Sequence, residues 1–190
     1  MYRRRAFRRR AVFSPRGRAH QALVQANHLK DDENYEEAAE IFERLAKAAQ
    51  DRGILKHAPF LYLQAAHCYL LASKTDRGVG LVSHGLRLLE KTQRWPALHK
   101  AGERSVEELK KLGHTEVAEK IQKWLDETLK DHPEASSPEY SYPYSAQKRI
   151  PNLPAKCPNC GATLRSDQAE WIDETTAECL YCGSAIKAEG

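Results

Sequence analysis

Residues 34–50 read NYEEAAEIFERLAKAAQ, and their apolar side chains recur with the period of an α-helix. Asn34 precedes the run and Glu37 follows three residues later, in the pattern of a capping box. The stretch therefore predicts an amphipathic helix over residues 34–52. The residues that share its apolar face are Tyr35, Ala38, Phe42, Leu45 and Ala49.

Similar apolar stripes recur along residues 19–130, for example over residues 62–70, 79–89 and 117–129. Turn-forming residues separate the stripes: Pro96 suits the first turn of a helix, and Gly113 suits a helix end. The turns are short, so we expect neighbouring helices to run antiparallel. The predicted helices cover residues 16–30, 34–52, 57–73, 75–91, 96–112 and 115–130.

The three helix pairs resemble tetratricopeptide repeats. The resemblance is carried by the pattern Ala26…Leu29…Tyr35-x2-Ala38-x3-Phe42 and by a weaker copy at Ala66…Tyr69…Gly78…Val82. The third pair, around Ala101, Gly102 and Ala118, matches only loosely. The resemblance implies an array of helical hairpins that binds proteins on a concave face and has no catalytic activity. A plain helical bundle is the alternative.

Four cysteines near the C-terminus follow the pattern C-x2-C-x18-C-x2-C, with a glycine after each pair. Two residues between cysteines allow one tight turn to direct both sulfurs at a single ion, and two such turns make a tetrahedral four-thiolate site. We predict one structural Zn²⁺, because protein ligands fill every coordination position. The predicted ligands are Cys157, Cys160, Cys179 and Cys182.

Residues 155–190 also resemble a zinc ribbon, with short strands predicted at residues 162–164, 170–172 and 175–178 and a turn near Asp173 and Glu174. Iron in a rubredoxin-like four-sulfur cage is the lesser alternative to zinc. This segment holds three basic and six acidic residues, so it repels phosphate. The charge favours a structural or protein-binding module over a nucleic-acid-binding one.

The positive charge is concentrated in residues 1–18, which contain eight arginines and no acidic residue, whereas residues 19–190 hold 22 basic and 26 acidic residues. This arm is predicted to contact polyanions, either nucleic acid or an anionic membrane. A solvated terminus and an arginine-rich targeting peptide are the alternatives. The contact is assigned to Arg3, Arg4, Arg5, Arg8, Arg9 and Arg10.

Residues 131–154 form a linker that holds five of the nine prolines, a density that excludes a helix. The segment also carries Tyr140, Tyr142 and Tyr144. It is therefore either a free spacer or a strap whose tyrosines lie on the helices. The fifth cysteine, Cys68, stands on an apolar stripe and is interpreted as a small buried hydrophobe.

These features predict a mainly α protein in four parts: an arm (1–18), a tetratricopeptide-like domain (19–130), a linker (131–154) and a zinc ribbon (155–190). The function we expect is that of a non-enzymatic adaptor, with protein partners on the helical face and ribbon and no small-molecule substrate. The alternative is a nucleic-acid- or ribosome-associated factor that docks through the arm. No apolar run approaches the ~18 residues of a membrane span. The arm lacks the apolar stretch of a secretory signal, so we expect a cytoplasmic protein, with association to a membrane or nucleic acid through the arm as the alternative.

Overall fold

The computed structural model describes residues 15–136, 151–166 and 169–189. Six α-helices and one three-stranded antiparallel sheet occupy these residues, so the expected mainly α fold is confirmed. The helices are α1 (Pro15–Asp31), α2 (Tyr35–Asp51), α3 (Ala58–Leu71), α4 (Thr75–Lys91), α5 (Trp95–Lys111) and α6 (Thr115–Leu129).

All five helix connections contain one residue in the left-handed region, and these residues follow one another at intervals of 20: Glu33, Gly53, Ser73, Gln93 and Gly113. The next amide after each donates to a carbonyl five residues back, as in Asn34 to Leu29 (2.8 Å) and His114 to Leu109 (2.8 Å). This bond closes a helix in the manner of a Schellman motif. The helical part therefore repeats every 20 residues, or 40 residues per hairpin, although only two of the five left-handed positions are glycine.

The apolar faces of the helices form two buried clusters that meet at α3. The first cluster joins α1, α2 and α3 and includes Phe42 and Tyr69. The second joins α3 to α6 and includes Leu86, Leu98 and Leu109. Gly102 marks the close approach of α5 and α6, since a Cβ there would lie 2.4 Å from Cδ1 of Leu125.

The C-terminal module, which we define as described residues 151–166 and 169–189, contains β1 (Glu170–Trp171), β2 (Thr176–Glu178) and β3 (Ala185–Lys187) in the order β1-β2-β3. The predicted strand over residues 162–164 is wrong, because only Thr163 forms an isolated bridge, to Lys156. Strand β3 was not predicted. Its single buried residue, Ile186, gives too short an alternation to detect.

Among the described helices, none has the length and apolar character that a membrane span requires. The linker begins with a 3₁₀ turn, Pro133–Ser136, in which Ala135 is buried. His132, just before this turn, stacks on Trp95 with ring centroids 3.7 Å apart. The arm's residues 1–14 and the tyrosines of the predicted strap lie outside the described residues, so both hypotheses stay predictions.

Candidate metal centre

The structure brings all four predicted ligand cysteines together, with their sulfur atoms within 4.8 Å of one another. The Sγ atoms of Cys157 and Cys182 lie 3.8 Å apart, as do those of Cys160 and Cys179. A tetrahedron with metal–sulfur bonds of about 2.3 Å has edges of about 3.8 Å. A disulfide would need about 2.05 Å. The cluster therefore has the dimensions of a four-thiolate metal site and not of two disulfides.

Two tight turns with the same backbone geometry position the sulfurs. The amide of Gly161 donates to the Cys157 carbonyl (2.9 Å), and the amide of Gly183 donates to the Cys179 carbonyl (2.8 Å). Both glycines have positive φ, 76° and 73°, a conformation that other residues adopt only with strain. The glycine after each cysteine pair is thus explained by the turn that presents the sulfurs.

The thiol chemistry of the cluster suits a divalent cation. Hydrogen bonds from Cys160 and Cys179 lower the pKa of the Cys182 thiol, while hydrogen bonding to Cys179 and Cys182, together with burial, raises the pKa of the Cys160 thiol. The thiols therefore lose their protons unequally, and without a bound cation they cannot all be thiolates at once. A bound cation stabilises every thiolate, and Ser184 Oγ lies 3.2 Å from Cys182 Sγ as an additional polar neighbour.

The C-terminal module is docked on the helical part through hydrogen bonds that both of its turns accept. The side chain of Asn27, which is only 3% exposed, donates to the carbonyls of Leu23 (3.0 Å) and Cys160 (3.1 Å). On α3, Gln64 donates to the hydroxyl of Tyr181 (3.0 Å). At the start of α3, Nδ1 of His57 lies 2.6 Å from the carbonyl oxygen of Leu180.

Ion pairs border this interface. Lys56 contacts Glu178 (2.7 Å) and Glu170 (3.2 Å), and Arg94 pairs with Glu170 as well. Hydrogen bonding to Glu178 is the main cause that raises the pKa of Lys56. Cys157, Cys160, Ala177, Cys179 and Ile186 belong to the same buried cluster as α1, α2 and α3. The metal centre is therefore fixed on the helical layer.

No sequence motif marks Asn27, His57 or Gln64. Asn27 and Gln64 are single polar residues on helices and His57 precedes α3, and polar residues at such positions are normally solvated. The usable signal was the position of Asn27, which stands next to Ala26 and one helical turn after Leu23 and Val24. For Cys68 the interpretation as a buried hydrophobe agrees with the structure, since the side chain is fully buried and burial raises its pKa to about 11.

A cavity of about 550 Å³, which we call the groove, lies between α3, α5 and the C-terminal module. Phe60, Leu63 and Ala101 supply apolar lining, and Lys100 and Arg104 supply cations. Burial is the main cause that lowers the pKa of His67, also in the lining, to about 4, and the charges of Lys30 and Arg104 add to the effect. His67 is therefore neutral at pH 7.

Comparison with known proteins gives no match to this chain among family models, curated proteins or solved structures. The six helices and the clustered cysteines are features of the structure itself. The tetratricopeptide and zinc-ribbon resemblances rest on the residues and spacings described above.

Proposed function

We propose that this protein is a non-enzymatic protein-interaction adaptor, in which a zinc ribbon is fixed on a tetratricopeptide-like helical array. The observation that carries the proposal is the docking of the C-terminal module on the helices through Asn27, His57 and Gln64. Because the module and helices share one buried cluster, they present a single combined surface. A fixed, contoured surface of this kind is suited to recognising a partner.

The metal in this proposal is one structural Zn²⁺ held by Cys157, Cys160, Cys179 and Cys182. Four thiolates at tetrahedral spacing suit zinc and fill all its coordination positions, so the ion supplies folding energy to the module. Iron also binds four thiolates in this geometry, and a visible absorption spectrum distinguishes bound iron from bound zinc.

Elemental analysis of the full chain tests the metal assignment. We expect one zinc per chain in the wild type and in Cys68→Ala, the matched control that removes a cysteine outside the cluster. Cys157→Ser should lose the metal. A wild-type protein that is purified without chelator and contains no metal would refute the assignment. If the protein contains iron and absorbs visible light, the assigned metal changes from zinc to iron.

The adaptor role is tested by affinity purification of the nuclease-treated full chain, followed by binding measurements between the purified chain and each recovered protein. We expect at least one protein to bind directly, with a dissociation constant that is unchanged by removal of residues 1–14. Recovery of nucleic acid alone, or binding that disappears with the arm, would favour the nucleic-acid-associated alternative instead.

A further inference from the structure

The groove is lined by three parts of the chain that are distant from one another in sequence. Helix α3 contributes Phe60 and Leu63, α5 contributes Ala97 and Ala101, and the C-terminal module contributes Leu180. Its volume of about 550 Å³ falls within the ~300–1,000 Å³ of typical ligand cavities. The groove therefore has room for several side chains of a bound segment.

Every charged side chain that the structure describes in this lining already has a partner. Arg94 pairs with Glu170, and Glu108 contacts a neutral histidine of α3. The two other cations of the lining, Lys100 and Arg104, each take part in an interaction as well. A charged ligand would have to compete with these interactions, so charge does not select what the groove binds.

The lining also offers apolar surface. Phe60, Leu63, Ala97 and Ala101 pack on the second buried cluster, yet each of them is only partly buried. Removing apolar surface of this kind from water is favourable, and an aromatic ring covers a large area of it at once. The occupant that matches the groove is therefore a segment with bulky apolar or aromatic side chains.

The described chain stops at residue 136, beside the groove. The turn Pro133–Ser136 packs on α5, and Ala135 is buried there. Just before this turn, His132 stacks on Trp95. The residue after Trp95 on α5 is Pro96, which lines the groove. Residue 136 therefore lies on the helix that forms one wall of the groove.

The chain is described again from residue 151, and this second end lies near the opposite wall. The amide of Leu153 donates to Oγ of Ser166 (2.9 Å), and the carbonyl of Ser166 accepts a hydrogen bond from Nε1 of Trp171 (3.2 Å). Trp171 is part of the groove lining. Two hydrogen bonds thus connect the second end to the wall that the C-terminal module supplies.

The fourteen residues between these ends read SPEYSYPYSAQKRI. A chain of this length reaches up to about 46–50 Å when it is fully extended, so it is long enough to pass along the groove. Its tyrosines occupy alternate positions, 140, 142 and 144, and alternate side chains of an extended chain share one face. Because the segment is tethered at both ends, its effective concentration at the groove far exceeds that of a separate partner.

We propose that residues 137–150 of the chain itself occupy the groove, and that their tyrosine rings pack on Phe60 and Leu63. The segment then adds an aromatic contact between the helices and the C-terminal module to the hydrogen bonds that dock the module. This inference goes beyond the adaptor function and does not depend on it. A partner protein binds surfaces outside the groove in this arrangement.

Photo-crosslinking within the full chain tests the proposal. The photoreactive residue p-benzoylphenylalanine replaces Tyr140, Tyr142 or Tyr144, one at a time, in the zinc-loaded protein. After irradiation, mass spectrometry maps the residues that are joined to the probe. We expect adducts within one chain, on α3 near Phe60 and Leu63 or on α5 near Ala101, from at least one of the three positions.

Filling the groove supplies a second measurement. Ala101→Trp places a bulky ring in the lining and should lower the yield of these adducts at least fivefold. The matched control is Lys123→Trp, which adds the same ring at an exposed position of α6 outside the lining and should change the yield less than twofold. Zinc content and circular dichroism establish that each variant is folded.

Three results would overturn the proposal. The first is the absence of adducts on the groove lining from all three probe positions. The second is an adduct that joins two chains, since the groove's occupant would then be a second copy. The third is an equal yield in folded Ala101→Trp and in Lys123→Trp, because the probe would then reach the helices without entering the groove.

Discussion

Asn27 is the residue that most directly couples the helices to the metal centre. Its amide bridges the Leu23 carbonyl of its own helix and the Cys160 carbonyl of the first metal-binding turn, in a buried position. We predict that Asn27→Ala lowers the free energy of unfolding by about 1–3 kcal/mol, because buried carbonyl groups lose a hydrogen-bond donor. Urea denaturation of the zinc-loaded protein measures this cost.

The same substitution in the metal-free Cys157→Ser background provides the control. There we expect a smaller cost, because the contact depends on a folded metal-binding turn. Equal costs in both backgrounds would show that Asn27 acts within α1 alone.

Two glycines allow the conformation of the helix turns to be tested without a change in packing. A Cβ at Gly113 or at Gly80 would have no atom within 4 Å, but Gly113 has a φ of 84° whereas Gly80 lies inside α4. We predict that Gly113→Ala destabilises the protein by about 1–2 kcal/mol and that Gly80→Ala stabilises it by about 0.5–1 kcal/mol. Thermal melts of the two variants should therefore shift in opposite directions; shifts of the same sign would contradict the assigned turn geometry.

The helices were predictable from sequence because each one buries a stripe of regular period, and their observed limits differ from the predicted ones by at most two residues. The 20-residue register was not predictable. Three of its five left-handed positions are Glu33, Ser73 and Gln93, residue types that carry no conformational signature. What the five turns share is the hydrogen bond that closes each helix, and not a glycine.

For the C-terminal module, sequence spacing identified the cysteines that meet, because the two turns are local. The docking of the module was not predictable, since it depends on residues more than 100 positions apart, such as Asn27 with Cys160 and Gln64 with Tyr181. The groove was not predictable for the same reason. It lies where α3 and α5 face the module, and no local sequence pattern indicates that these elements are neighbours.

For the chain as a whole, the uneven charge predicts a second, weaker activity. Removal of residues 1–14 eliminates six of the chain's arginines and leaves α1 complete. We predict that this truncation abolishes weak, sequence-independent binding to RNA, DNA or anionic liposomes, and that binding by the full chain falls steeply with salt because counterions are released. A chain with the six arginines replaced by lysine should retain binding. Equal binding by the truncated and full chains would refute the role of the arm.

The central claim is that a metal-loaded module is fixed on the first three helices, and hydrogen–deuterium exchange of the full chain tests it most directly. The comparison is between zinc-loaded wild type and Cys157→Ser/Cys179→Ser, with Cys68→Ala as the metal-binding control. We predict that loss of metal removes protection from the module and from α1 and α3 near Asn27, His57 and Gln64. Helices α5 and α6 should stay protected, because their buried cluster excludes the module. Unchanged exchange of α1 and α3 in the metal-free variant would contradict the account.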